Sequence, residues 1–89
     1  MSLYVLEERV RSKGWELIAS THVQGDGVQA PGYITLCHIP GAHPFVVHFL
    51  NVQDGGFHSG DYCKDDVSAR RVFAHRSERY TRHHRKEPI

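Results

Sequence analysis

Residues 44–80, PFVVHFLNVQDGGFHSGDYCKDDVSARRVFAHRSERY, decide the fold of this chain. Two β-rich runs, Phe45 to Val52 and Phe57 to Tyr62, flank Gln53-Asp54-Gly55-Gly56, and Asp-Gly between such runs is a strong hairpin signal. With Asp54 and Gly55 as a two-residue loop, Val52 faces Phe57, Leu50 faces Ser59 and His48 faces Asp61. On the other side of the ribbon Asn51 meets His58, Phe49 meets Gly60 and Val47 meets Tyr62. This register lays the Phe49 ring across a bare glycine backbone, a known way of stabilising a strand glycine. A helix follows. Asp65 stands at its N-cap and Asp66 in its first turn, where carboxylates suit unpaired N–H groups and the positive end of the dipole. Ala69, Val72, Phe73 and Tyr80 form an apolar stripe at helical spacing, with Arg70, Arg71, His75, Arg79 and Arg82 flanking or opposing it.

Upstream, residues 2–13 (SLYVLEERVRSK) read as a helix. Leu3, Leu6 and Val10 recur at helical spacing, Glu7 and Glu8 precede Arg11 by three or four residues, and Ser2 can cap the start. Gly14 stands where a left-handed residue closes a helix. An edge strand is the competing reading of the same residues, because Tyr4, Leu6 and Val10 also alternate. Trp15 to Val23 alternates Trp15, Leu17 and Ala19 against Glu16, Ile18 and Ser20, as a strand does. Gln24 to Gly32 is a loop rich in Gly and Pro. Tyr33 to Ile39 is another strand, followed by Pro40-Gly41, which suits the centre of a type II turn. The text LEERVRSKGWELIAS, residues 6–20, resembles small bacterial α+β domains of unknown function, in which a short helix and a glycine precede Trp-Glu-Leu-Val opening a strand. The resemblance implies a helix–strand unit with Trp15 in the core, and no activity. The expected architecture is therefore α+β: a four-stranded antiparallel meander with an N-terminal helix and a long C-terminal helix packed on the sheet. A single domain over residues 1–82 and a flexible basic tail over 83–89 complete it.

At 89 residues the chain has room for one small core. With few elements to cover both faces of a sheet, a homodimer is a natural remedy. No apolar run reaches the roughly 20 residues that span a membrane. The opening MSLYVLEERV carries acidic residues where a signal peptide is basic and apolar, so a cytoplasmic protein is expected. Cys37 and Cys63 read as reduced, strand-borne apolar residues. The net charge of +1 hides an asymmetry: residues 1–69 hold four Lys/Arg against eight Asp/Glu, and 70–89 hold seven against two. An acidic body with a basic end steers partners even when the total is close to neutral.

Eight histidines prompt a test for zinc, which needs three or four converging N or S ligands. No Cys-x-x-Cys occurs, and neighbours such as Cys37 and His38 point to opposite faces of a strand. A zinc-binding domain is thus a minor alternative, and no metal or other cofactor is expected. His48 beside Asp61 has the composition of an oriented general base, with Ser59 or Cys63 as nucleophile, and equally that of a register-fixing cross-strand pair. Such a pair raises the pKa of His48. No strained elbow, phosphate loop or paired-carboxylate motif accompanies it, so a non-enzymatic protein is expected. The outward-pointing feature is the basic helix, with Arg70, Arg71, Arg76, Arg79, Tyr80, Arg82 and Arg85 as candidate partner-binding residues. Arginine forks suit carboxylate or phosphate. The expected function is a small protein-binding module that docks on an acidic protein surface or larger complex, in the manner of phage or mobile-element inhibitors of a host nucleic-acid machine (anti-CRISPR-like). The alternative is a nucleic-acid-binding regulator that uses the same helix, with Tyr80 stacking on a base.

Overall fold

The computed structural model describes residues 2–25 and 28–85, with the side chains of Leu3 and of residues 81–85 outside the description. In chain order the elements are α1 (Leu3–Ser12), β1 (Glu16–Val23), β2 (Gly32–His38), β3 (Phe45–Asn51), β4 (Phe57–Cys63) and α2 (Asp66–Arg85). The strands form one antiparallel sheet in the order β1-β2-β3-β4, and the fold is the expected α+β meander with a helix at each end. α2 runs past the boundary expected at residue 82, through His83 and His84 to Arg85. The rest of the expected tail, residues 86–89, lies outside the described residues.

α1 begins and ends as its sequence dictates. The Ser2 hydroxyl accepts from the Val5 N–H at 3.3 Å. At the other end Gly14 takes φ +80°, a region open to a residue without Cβ. The Gly14 N–H donates to the Arg11 carbonyl at 2.9 Å and the Trp15 N–H to the Val10 carbonyl at 3.3 Å. These two bonds make a Schellman motif, which satisfies two terminal carbonyls and folds the next residue back over the helix. Trp15 accordingly packs in the same cluster as Val10, and β1 starts one residue later.

Each sheet face carries one helix. On the α1 side, Leu6 and Val10 cover Cys37, Val46 and Leu50, with Trp15, Leu17, Tyr33 and Phe57 around them. On the α2 side, Ala69, Val72, Phe73 and Tyr80 cover Val23, Ile34, Leu36, Val47 and Phe49. The uncovered face that made a second copy attractive is therefore supplied with a helix within one chain. In β1 the expected strict alternation fails, because a bulge between Leu17 and Ala19 puts Leu17 on the α1 side and both Ile18 and Ala19 on the α2 side.

The β3–β4 hairpin departs furthest from expectation. Its loop is wider than Asp54-Gly55: the Asn51 N–H donates to the Gly56 carbonyl at 3.0 Å and the Gly55 N–H to the Asn51 carbonyl at 2.8 Å. Side chains hold this wider turn. The Asn51 amide oxygen accepts from the Gln53 N–H, and the Asp54 carboxylate from the Gly56 N–H, each at 2.7 Å. Val52 leaves the ribbon and donates to the Pro31 carbonyl at 3.2 Å. The pairing therefore begins as Leu50 with Phe57 and Phe49 with His58. A bulge then sets Ser59 and Gly60 together against His48, and the ladder resumes as Val47 with Asp61, Val46 with Tyr62 and Phe45 with Cys63. None of the expected cross-strand pairs survives this shift. The ring that lies over Gly60 belongs to His48, not Phe49: a Cβ on Gly60 would sit 2.6 Å from His48 Nε2.

Ser59 takes φ +55°, the left-handed region that favours glycine. A residue with Cβ there costs about 1 kcal/mol. Ser59→Gly should raise the urea midpoint by a net gain of about 0.5 kcal/mol, since the freer unfolded glycine chain offsets part of the relief. Gly60→Val should lower the midpoint, because its Cβ meets the buried His48 ring.

Candidate functional site

One contact caps α2 and two fix it over the sheet. The Asp65 carboxylate accepts from the Ser68 N–H at 2.7 Å, and this bond, on an exposed carboxyl at a helix start, holds its pKa below the usual range. The Ser77 and Thr21 hydroxyls meet at 2.9 Å and tie the helix to β1. The third contact is Arg76. Its Nη1 lies 2.9 Å from the Val47 carbonyl, 2.6 Å from the Ser59 carbonyl and 3.1 Å from Asp61 Oδ2. A bulge interrupts the inter-strand ladder, and Arg76 donates there to one carbonyl of each strand, Val47 of β3 and Ser59 of β4. Asp61 is more than half exposed, so the two carbonyl bonds hold Arg76 more firmly than the ion pair does.

This corrects one expected site residue. Arg76 was expected on the outward basic face, yet it is 8 % exposed and committed to the sheet. Its position follows from spacing: it falls on the stripe of Ala69, Phe73 and Tyr80, seven residues after the first and four before the last. Tyr80 is also drawn inward. Its ring stacks on Phe49 at 5.6 Å with 6° between planes, so one face is already occupied. Arg70 is exposed and bonded to Asp66 one turn earlier, at 2.9 Å. Arg71 and Arg79 are exposed and have no ion-pair partner among the described residues. The side chains of Arg82 and Arg85 lie outside the described residues.

Between α2 and the outer edge of β4 runs an open cleft of about 740 Å³. Arg71, His75 and Arg79 line its helix side, Ser59 and Asp61 its strand side, and Val72, Arg76 and Tyr80 also contribute. Successive positions four apart on a helix rise about 6 Å, so the three cationic or titratable groups form a row along the cleft. His75 was noted in the sequence only as a flanking residue; its place midway between Arg71 and Arg79 is the signal for it.

The His48–Asp61 couple does not form. Asp61 turns to Arg76 under α2, while His48 lies on the α1 side, stacked on Trp15 at 5.6 Å with 6° between planes and edge-on to Phe57 and Tyr62. Its pKa moves opposite to expectation. Burial pushes it down, Arg76 and Lys13 push the same way, and the attraction of Asp61 does not reverse them. The thiols are no better placed as nucleophiles. Burial lifts Cys37 to about 11, and burial with Asp61 and Asp65 raises Cys63. Both cysteines are free. Among the described residues no three His, Cys, Asp or Glu side chains converge on a common metal position. What the cleft offers chemically is a cationic, partly apolar surface for an anionic group.

Replacing Arg76 with Met should cost on the order of 3 kcal/mol in urea unfolding, because two inward carbonyls lose their donor. Arg71→Glu and Arg79→Glu should leave the midpoint within about 0.5 kcal/mol, as expected of exposed positions. Comparison of the chain with protein-family models, with curated proteins and with solved structures finds no match.

Proposed function

We propose that this protein is a non-enzymatic binding module whose β4–α2 cleft grips an acidic segment of a larger protein partner. One observation carries the reading: Arg71 and Arg79 face the cleft without ion-pair partners among the described residues, while the neighbouring Arg76 is consumed by the sheet. Two exposed guanidiniums held by a rigid helix suit carboxylates, which they can engage by paired N–H donors. Val72 and Tyr80 add an apolar element that a purely electrostatic nucleic-acid surface does not need.

The rival nucleic-acid reading loses support from the same geometry. Tyr80 stacks on Phe49 and has a face already taken. Asp61 lies on the cleft wall, and eight acidic residues in the first 69 repel a long phosphate chain. An inhibitor of a host nucleic-acid machine remains a natural form of the proposal. With this charge it would seat on an acidic surface of the machine and would not imitate its nucleic acid. No helix among the described residues is long and apolar enough to cross a membrane.

Titration with a short poly-glutamate peptide, single-stranded DNA and duplex DNA at one low salt concentration tests this. The peptide should bind, perturb NMR signals of residues 59–61 and 71–80, and lose at least about tenfold in affinity in the Arg71→Glu/Arg79→Glu double variant, the size expected for losing one to two charge-assisted contacts. Tighter binding of either DNA, with perturbations on the same residues, would replace this reading by the nucleic-acid one.

A further inference from the structure

The β4 bulge is held from both sides. On the α2 face Arg76 bonds the Ser59 carbonyl; on the α1 face the His48 imidazole lies flush against Gly60. His48 is 5 % exposed, and its Nδ1 is buried with no hydrogen-bond partner. A neutral imidazole tolerates this surrounding of Trp15, Phe57 and Tyr62. An imidazolium gains a second N–H that needs an acceptor, and the cage supplies none. Aromatic faces can stabilise a cation, but Lys13 Nζ already stands 5.4 Å from the Trp15 ring centre and 5.6 Å from that of Phe57, and its charge opposes a second cation on the same rings. The charged and titratable groups that face the ring are Lys13 after α1, Arg76 on α2, and His58, Asp61 and Tyr62 on β4. Of these, Asp61 alone favours a positive ring, and it is engaged by Arg76.

We propose that the packing of His48 on Gly60 is a proton-operated latch on the β4 edge. With a neutral ring, β4 is closed on β3, the Ser59 carbonyl stays on Arg76 and the cleft has its described shape. Protonation expels the ring from the cage, and the element free to yield is β4. It is an edge strand with one neighbour, and Ser59 already stores left-handed strain. Opening it withdraws Ser59 and Asp61 from Arg76 and removes one wall of the cleft. The link to partner docking rests on the function proposed above; the latch itself does not. The sign follows from linkage. In acid the folded state binds fewer protons than the open one, so closure is complete above the ordinary histidine value and is lost as pH falls.

Hydrogen exchange and NMR titration of the chain alone, without any partner, test the latch separately from the docking proposal. After correction for intrinsic chemistry, protection of the Ser59, Gly60 and Asp61 amides should be flat above about pH 6.5 and fall by up to about tenfold per pH unit below it. Amides of β1 and β2 should keep their protection, and His48→Phe should abolish the effect. In the unmutated protein the His48 ring carbon and the Ser59 and Gly60 amides should titrate with one midpoint, a measurement that stands even if the variant fails to fold. Constant protection at β4, an equal loss in β1 and β2, the same loss in His48→Phe, or separate midpoints would each overturn the proposal.

Discussion

The bonds from the Arg76 guanidinium to the carbonyls of Val47 and Ser59 are the constraint on which the rest of the structure depends. An arginine is expensive to bury, and it stays buried only where its donors find acceptors. Here the acceptors exist because β3 and β4 fall out of step. A regular ladder directs strand carbonyls to the neighbouring strand, whereas the bulge opposite His48 leaves room for a donor from above. The helix and the bulge thus require each other. Without the bulge Arg76 would have no polar seat beneath α2, and without Arg76 the bulge would present inward carbonyls to an apolar layer.

The same irregularity organises the other face. Two residues of β4 stand against His48, and the second is Gly60, whose missing side chain makes the space the imidazole fills. Ser59 absorbs the geometric cost at φ +55°. One short segment, Ser59-Gly60-Asp61, therefore meets the aromatically caged His48 ring on the α1 side of the sheet and the guanidinium of α2 on the other. A sheet only one strand thick transmits a change at either side through this segment, since no other layer separates the two contacts. That arrangement is the route by which the proposed latch on the α1 side would act on the cleft.

What the sequence made legible was governed by local rules. Ser2, Gly14 and Asp65 mark helix ends because each satisfies or permits a specific terminal geometry, and all three occupy the expected places. The meander follows from short β-rich runs with tight connections. The register was not legible, because it depends on whether Asp54 and Asn51 use their side chains to widen the turn. Asp-Gly permits a two-residue loop and does not require one. A two-residue shift at the turn, reduced to one beyond the bulge at Ser59 and Gly60, moved every pair in the hairpin and dissolved the apparent His48–Asp61 couple. Arg76 was partly legible. Helical spacing sets it in the apolar stripe with Ala69, Phe73 and Tyr80, but charge assigned it to the surface. Deciding between the two needs the bulge that supplies its acceptors, and a bulge is a property of two strands together.

The irregularities also constrain how any partner can approach. A flat sheet edge invites another strand to extend the ladder. Both edges here are broken: β1 carries its bulge between Leu17 and Ala19, and β4 carries its own opposite His48. A partner strand laid along β4 would have to follow the kink at Ser59 and Gly60, losing the regular spacing from which strand addition gains its affinity. Engagement through side chains in the cleft carries no such requirement. The row of Arg71, His75 and Arg79 rises from a helix clamped by Arg76, so its spacing is set before a partner arrives, which lowers the ordering cost of binding. The bulge that blunts the edge against strand addition therefore also fixes the helix whose cations face the cleft, and both effects favour docking by side chains over pairing by backbone.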